Sequence, residues 1–329
     1  MKKLTFLLIL PVLLFFTGIY WYKLNSQPVS RESNFKDFLI TRGSSASQIG
    51  NKLQKEGLIK NGITFKLYVQ ITGNAGKIQS GEYRLSADYS LKKIVDELLR
   101  GPLGVWVTIP EGLRREEIAY RFVTTLDKED KNVFIEEFLQ ASVNQEGYLF
   151  PDTYIFLKNA QASAIVQKMR ATFDKKVGSE ILDDISSGGK SINQILTVAS
   201  LVERETKGAE EKPIVAGIIY KRLKAGWPLQ IDATLQYAVG GLKCKETQVQ
   251  CDWWSPLTKE DLGTNSLYNS YKFIGFPPSP IANPGLLSIK AATYPQESDF
   301  WFYLHDTGEN IHYARTIQEH NDNVRKYLK

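Results

Sequence analysis

The chain has 329 residues, of which 41 are Lys or Arg and 36 are Asp or Glu, so its formal net charge is +5. Hydrophobic residues make up 43% of it, which is enough for a packed core and excludes a mainly disordered chain. No stripe of basic residues stands out, so we expect no nucleic acid as a partner. With 3 His and 2 Cys, the chain has too few ligands for a zinc-finger array or a multi-histidine centre, and we expect no metal and no cofactor.

The one long apolar run lies at residues 4–22, near the roughly 20 residues that a helix needs to cross a bilayer. Aromatic residues and Lys23 at its end are typical of a membrane interface, whereas a cleaved signal peptide has a shorter apolar core and a small-residue cleavage site. We therefore predict a retained transmembrane anchor at residues 1–23. Lys2 and Lys3 favour a cytoplasmic N-terminus and an extracytoplasmic body, although Lys23 and Arg31 weaken this charge bias.

A small α+β domain is predicted after the anchor. Residues 24–35 are polar and form a predicted linker. Between residues 36 and 110, segments with the period of a strand alternate with segments with the period of a helix. One helix is predicted to begin near Ser45, and another is predicted to be capped by Ser90.

From residue 111 to the C-terminus the pattern is mainly helical, with accessory strands near the end. The aromatic, proline-containing stretch at 146–154 cannot be a continuous helix. Aromatic rings beside acids can line a carbohydrate cleft, although this stretch also fits an ordinary turn in the core. The Pro- and Gly-rich segment 277–285 is too long for a tight turn, and long structured loops are often functional.

The most informative helix begins at Ser191, which forms a capping-box pattern with Gln194. Its apolar residues fall on one arc of the helix, and Glu203 lies inside that arc, while Arg204 points away and Glu205 lies near the edge. A carboxyl in such a position must be paired or protonated. Apolar surroundings raise the pKa of a carboxyl, which suits a general acid, whereas a simple helix-end Glu reaches solvent or pairs with Lys or Arg.

Several motifs together closely resemble those of the endolytic murein transglycosylases of the MltG (YceG-like) family. The segments that carry the resemblance are Leu201 to Thr206, Leu229 to Thr234, Tyr268 to Tyr271, Pro277 to Gly285 and Glu146 to Tyr154. The resemblance covers nearly the whole chain and implies a LysM-like domain at 36–110 and a mainly helical catalytic domain at 111–329. The chain departs from the family pattern at Ala233, where Pro is usual, and in an insert from Lys243 to Trp254.

The resemblance implies cleavage of the bond between N-acetylmuramic acid and N-acetylglucosamine within nascent strands, with 1,6-anhydro ends and termination of chain elongation. Glu203 is implied as the catalytic residue, acting first as acid and then as base on the sugar 6-hydroxyl. The residues expected to bind the substrate are Gln230, Asp232, Tyr268, Asn269 and Glu205. The expected partners are peptidoglycan strands and the synthases or division machinery, and the expected location is the cytoplasmic (inner) membrane with the body outside.

Two alternatives remain open at this point. A muramidase-type hydrolase would use Glu203 with Asp232 or Glu205 and leave reducing ends. A non-catalytic anchor would bind peptidoglycan through the LysM-like domain alone. The two cysteines, Cys244 and Cys251, are expected to form a disulfide if the domain lies in an oxidising compartment.

Overall fold

The computed structural model describes residues 2–244 and 251–328, and in the first helix it describes the side chains of residue 13 and residues 15–25. It confirms a mixed α+β fold. The chain divides into two compact units, Met1–Trp106 with Ile155–Lys158 and Val107–Tyr154 with Asn159–Lys329. The domain limits expected from the sequence stay predictions.

The first unit combines helices with a four-stranded sheet of order β1-β2-β3-β4. Its elements are α1 (Lys2–Asn25), β1 (Phe35–Ile40), α2 (Ala46–Lys55), α3 (Gly62–Ile71), β2 (Gly81–Ser86), α4 (Leu91–Arg100), β3 (Gly104–Thr108) and, later in the chain, β4 (Thr153–Leu157). Strands β1 and β2 are antiparallel, with Phe38 opposite Tyr83, and both side chains are buried in the core.

Local sequence explains where these helices begin. Ser45 forms a capping box with Gln48 at the start of α2, and Ser90 accepts a hydrogen bond from the Lys93 N–H at the start of α4. The helices expected from Ser45 and Ser90 are thus confirmed.

The predicted membrane anchor falls on α1, whose side chains at residues 2–12 and 14 lie outside the described part. Among the residues that the structure describes, no helix combines the length and the apolar character needed to cross a membrane. The anchor and the LysM-like domain therefore stay predictions.

The second unit is mainly helical. Its elements are α5 (Arg115–Thr125), α6 (Lys131–Ala141), α7 (Ala162–Ser187), α8 (Ile192–Glu205), α9 (Glu211–Lys224), α10 (Asp232–Lys243), a 3₁₀ helix (Asp261–Gly263), α11 (Leu286–Thr293), β5 (Phe302–His305), β6 (Ile311–Ala314) and α12 (Ile317–Tyr327). Helix α8 packs against α7, α9, α10 and α11, and all residues from Ile195 to Val202 are buried. The core of this unit therefore surrounds α8.

Two helix starts position residues of the quoted motifs. Asp232 is the first residue of α10, and Gly285 takes the N-cap position of α11, which begins at Leu286. At the end of α10, Cys244 and Cys251 form a disulfide with their Cα atoms 5.8 Å apart, as expected for an oxidising compartment; residues 245–250 of the insert lie outside the described part.

Candidate active site

The last turn of α8 carries the candidate site. The helix is fixed at its start by the Ser191 capping box and along its length by burial. Successive side chains on a helix diverge by about 100°. Glu203, Arg204 and Glu205 therefore enter three different environments, although they are adjacent in the sequence.

Glu203 lies in a pocket of hydrogen-bond donors. Its Oε1 is 3.2 Å from the Nζ of Lys212, and both side chains are less than a tenth exposed. Its Oε2 accepts a hydrogen bond of 2.9 Å from the N–H of Gly285, the N-cap residue of α11. Lys212 also donates to the Oγ of Ser288 at 2.8 Å. Glu203 therefore contacts both a cation and the start of α11.

A second carboxyl, Glu111, lies beside this pocket. Burial and the charge of Glu203 raise the pKa of Glu111, while the charge of Lys212 opposes that rise. A Cβ added at Gly285 would overlap the carboxyl of Glu111. Gly285 therefore allows the loop backbone to approach both acids, and a side chain at this position would require the carboxyl of Glu111 to move.

Arg204 contacts groups on two other segments of the chain. Its guanidinium lies 3.8 Å from the centre of the Trp254 ring and donates to the carbonyl of Gly112 at 3.4 Å. The indole N–H of Trp254 donates to Glu117 at 3.0 Å. The end of the insert therefore packs directly on the turn that carries the candidate acids.

Glu205 has different neighbours from Glu203. Tyr303, on β5, donates its hydroxyl to Glu205 Oε2 at 2.9 Å. Burial raises the pKa of Glu205; the hydrogen bond from Tyr303 opposes this rise and the charge of Asp232 adds to it. The side chain remains partly exposed. A raised pKa and access to solvent are the two properties that a general acid needs.

Asp232 lies in the same environment as Glu205. It is exposed at the start of α10, where one carboxylate oxygen accepts a hydrogen bond from the hydroxyl of Tyr271. The position of this segment is set by Ser270, whose hydroxyl accepts from the N–H of Ile231 at 2.9 Å. Gln230 precedes it with an exposed side chain and a left-handed backbone, φ +54°, which is uncommon outside glycine and often occurs at functional sites.

The other predicted binding residues, Tyr268 and Asn269, have partners within the protein. Asn269 is fully buried; its amide donates to the carbonyls of Leu262 and Thr264, and its carbonyl accepts from the N–H of Tyr271. The hydroxyl of Tyr268 lies 2.6 Å from that of Ser279. Asn269 therefore shapes the loop that holds Tyr271, and its contact with a substrate stays a prediction.

The structure brings Glu205 and Asp232 together and gives Glu203 a separate pocket. Sequence reasoning did not select Tyr271, Tyr303 or Lys212. Tyr271 lies within a quoted motif and could have been found there, whereas the other two are joined to the acids only by the tertiary fold. Within residues 2–244 and 251–328, no group of three or more His, Cys, Asp and Glu side chains is placed to hold a metal ion.

A buried network joins the aromatic stretch 146–154 to the proline-rich loop. The side-chain oxygen of Asn283 accepts from the N–H groups of Gly147 and Leu149, both at 2.9 Å. Its amide donates to Glu146 at 2.7 Å and to the carbonyl of Leu113 at 3.0 Å. These bonds fix the loop whose Gly285 binds Glu203. The stretch 146–154 holds no helix, as its proline predicted.

Comparison with known proteins shows which family the chain belongs to. The chain matches the YceG-like family over residues 38–326, and it belongs to that family. It is 31% identical to the endolytic murein transglycosylase of Bacillus subtilis over 330 residues, covering 92% of this chain and 88% of the relative. The endolytic murein transglycosylase of Streptococcus pneumoniae D39 is 29% identical over 94% of this chain, which spans 62% of that protein. The crystal structure of a YceG-like protein from Listeria monocytogenes is similar with a TM-score of 0.56 and 28% identity, over 88% of this chain and 99% of that one.

Proposed function

We propose that this protein is a lytic transglycosylase that cleaves peptidoglycan glycan strands internally, between N-acetylmuramic acid and N-acetylglucosamine. The observation that carries the proposal is the partly exposed Glu205, whose pKa is raised by burial and which shares its environment with the exposed Asp232. The relatives named endolytic murein transglycosylase support the same reaction class.

The proton donor in this proposal is Glu205. Its carboxylic acid donates a proton to the glycosidic oxygen as the bond to the anomeric carbon breaks and positive charge develops on the sugar. The resulting carboxylate then accepts the proton of the 6-hydroxyl of the same muramyl residue, whose oxygen bonds to the anomeric carbon. No water is consumed, and the advantage of the intramolecular attack is proximity. The products are a 1,6-anhydro end and a free 4-hydroxyl.

Glu203 is the other candidate for the proton donor, and its catalytic role, expected from the sequence, stays a prediction. Its partners in the structure are Lys212 and the N–H of Gly285. The charge of Glu203 neutralises the buried Lys212 and joins α8 to the start of α11.

Product analysis tests the reaction directly. Glycan strands are incubated with the full-length chain, and the new ends are identified by mass spectrometry. We expect 1,6-anhydromuramyl ends, which are one water lighter than hydrolytic ends, at internal positions of the strand. Release of small fragments from strand ends only would contradict the endolytic part of the proposal.

A hydrolase is the second candidate, because the site holds two neighbouring carboxyls. Asp232 raises the pKa of Glu205 through its charge, and a hydrolase uses such a second carboxylate as nucleophile or as base for water. Predominantly reducing muramyl ends, lost in Asp232→Asn, would favour this candidate. Transglycosylation needs no second carboxylate, so we expect Asp232→Asn to retain more activity than Glu205→Gln.

We also propose that the chain is anchored in the cytoplasmic membrane by residues 1–23, with the catalytic unit outside, where it terminates glycan elongation beside the peptidoglycan synthases. The apolar run at residues 4–22 supports the anchor. The order β1-α2-α3-β2 with antiparallel β1 and β2 supports a LysM-like, glycan-binding role for the first unit. The Cys244–Cys251 disulfide supports an oxidising, extracytoplasmic environment.

A further inference from the structure

Two tryptophan side chains form an aromatic platform on the second unit. Trp227 is 43% exposed, and its ring centre lies 4.5 Å from that of Trp301 and 6.2 Å from that of Phe302. The Nζ of Lys221 covers the Trp301 ring at 4.7 Å. Trp301 is thus enclosed by its neighbours, and Trp227 presents its ring to solvent. A large aromatic surface left in water commonly marks a binding site.

The backbone fixes Trp227 in this position. Helix α9 ends at Lys224, and Gly226 follows with φ +67°. The N–H of Gly226 donates to the carbonyl of Leu223 at 3.2 Å, and the N–H of Trp227 donates to that of Arg222 at 2.9 Å. This is a Schellman motif, which requires the left-handed glycine and sets the direction of the next residue. The side chain of Trp227 is therefore held at the helix end and supported by the two rings behind it.

Arg222 joins the platform to the candidate active site. Its guanidinium donates to the carbonyl of Leu229 at 2.6 Å and, through two nitrogens, to the carbonyl of Trp301 at 2.9 and 2.7 Å. Leu229 lies three residues before Asp232. Trp301 lies two residues before Tyr303, on the same side of an extended chain and about 7 Å along it. Arg222 therefore joins the segment that carries the platform to the segments that precede Asp232 and Tyr303, the two neighbours of Glu205.

A cavity beside the platform supplies polar groups. It has a volume of about 350 Å³ and is lined by Lys221, Lys224, Glu297 and Ser298, among others. Lys221 belongs to both the cavity and the platform. Ligand sites commonly combine an apolar surface with a few polar groups that orient the ligand.

We propose that the exposed ring of Trp227 is a subsite for the glycan strand, in which it stacks on the C–H face of an N-acetylhexosamine ring beyond the two rings that flank the scissile bond. This inference rests on the proposed function, which makes a glycan strand the substrate. A pyranose ring has an apolar face and a polar edge. The indole of Trp227 would stack on the apolar face of the sugar. The lysine-lined cavity would form hydrogen bonds with the hydroxyl and amide groups at the edge of the sugar.

Calorimetric titration tests the subsite separately from catalysis. The full-length chain in detergent carries Glu205→Gln, and the ligand is a soluble hexamer of β-1,4-linked N-acetylglucosamine. The titration is fitted with two sites, because the first unit is itself a proposed glycan binder, and we expect Trp227→Ala to weaken one of them about five- to tenfold, the scale of one aromatic stacking contact. Trp227→Phe keeps a ring face and should stay within about twofold. Ile317→Ala removes another exposed side chain of the same unit, 57% exposed, and should leave the Kd unchanged.

The outcomes separate the subsite from the reaction. An unchanged Kd for Trp227→Ala, equal losses in Trp227→Ala and Trp227→Phe, or no binding by the parent chain would each overturn the subsite. A chain that binds the hexamer through Trp227 but forms no anhydro ends from glycan strands would overturn the proposed function and leave the subsite in place.

Discussion

Glu203 and Glu205 are separated by one residue but differ in what surrounds them. Glu203 accepts hydrogen bonds from Lys212 and from the N–H of Gly285 at the start of α11. Glu205 meets a tyrosine hydroxyl and the charge of Asp232, and burial raises its pKa. The two residues can therefore be separated by mutations that change charge but little else.

The first prediction concerns the rates of the two glutamine variants. Glu205→Gln keeps the hydrogen bond from Tyr303 but has no proton to donate, so we expect the rate to fall by about 10²- to 10⁴-fold. Glu203→Gln has one side-chain oxygen for its two donors, Lys212 and the N–H of Gly285, so we expect the rate to fall, but by less than in Glu205→Gln. Both are measured as anhydro ends formed per minute. The opposite order of effects would return the acid role to Glu203.

The second prediction concerns the stability of Glu205→Gln as a function of pH. Burial raises the pKa of Glu205 in the folded state, so the unfolded chain loses this proton first as the pH rises. Stability is therefore lost as the pH rises from the unfolded pKa through the folded one. Glutamine carries no charge and removes this loss. We expect the Tm of Glu205→Gln minus that of the wild type to increase in thermal melts as the pH rises above the usual pKa of a glutamate in an unfolded chain. A difference that is constant with pH would contradict a raised pKa.

At the scale of elements, the loop 277–285 holds the site together because one side chain satisfies four partners. Asn283 accepts from two backbone N–H groups and donates to a carbonyl and to Glu146. Burial raises the pKa of Glu146, and the charge of Glu116 adds to this rise. Removal of the amide would leave these buried groups without bonds, which costs more than the bonds contribute in net terms.

The third prediction is therefore that Asn283→Ala lowers the free energy of unfolding by about 3–5 kcal/mol. Activity should fall as well, since the loop carries Gly285. Urea denaturation followed by circular dichroism measures the change. Asn265→Ala is the matched control, because Asn265 is exposed, and it should change stability by less than about 0.5 kcal/mol. Equal effects of the two variants would contradict the role assigned to Asn283.

The fourth prediction concerns the Cys244–Cys251 disulfide, which closes a short loop after α10. In the chain-entropy model, a loop this short contributes about 2–3 kcal/mol. The double variant with serine at both positions should lose about that much stability. Thiol labelling of the denatured, unreduced chain should find no reactive cysteine, and two labelled cysteines would contradict the disulfide.

The sequence predicts what depends on neighbouring residues. The sequence predicts the capping box at Ser191 and a helix start near Ser45, because a cap acts within one helical turn, and the structure confirms both. The arc of α8 also required Glu203 to be paired or protonated, and the structure pairs it with Lys212.

The sequence does not predict which distant residues meet at the site. Tyr303 bonds Glu205 across 98 residues, and Asp232 reaches the same environment from another helix. A helical wheel shows the direction of a side chain from its own axis, but not which elements pack on that side. The sequence therefore does not show which distant groups surround Glu203 and Glu205, and the glutamine variants of the two residues test which of them is the acid. The anchor of the segment before α10 is also distant, since Ser270 lies 39 residues from Ile231.

For the whole molecule, the proposed attachment belongs to the first unit and the proposed catalysis to the second. The first unit carries α1 and the βααβ order of β1, α2, α3 and β2, which supports attachment to the membrane and to glycan. The second unit carries both acids and the Trp227 platform. An enzyme tied to the membrane meets glycan strands where they emerge, so the position of the second unit relative to the bilayer decides whether the proposed reaction can occur.

The last prediction is that the chain from about residue 25 onward lies outside the cytoplasmic membrane. The apolar run at residues 4–22 is near the length that a helix needs to span the bilayer, and Lys2 and Lys3 favour a cytoplasmic N-terminus. Protease added to intact spheroplasts should therefore degrade a C-terminal epitope tag and leave an N-terminal tag intact. A cytoplasmic protein, degraded only after lysis, is the control for leakage. Protection of the C-terminal tag in intact spheroplasts would contradict this topology, and it would also separate the catalytic unit from any peptidoglycan substrate.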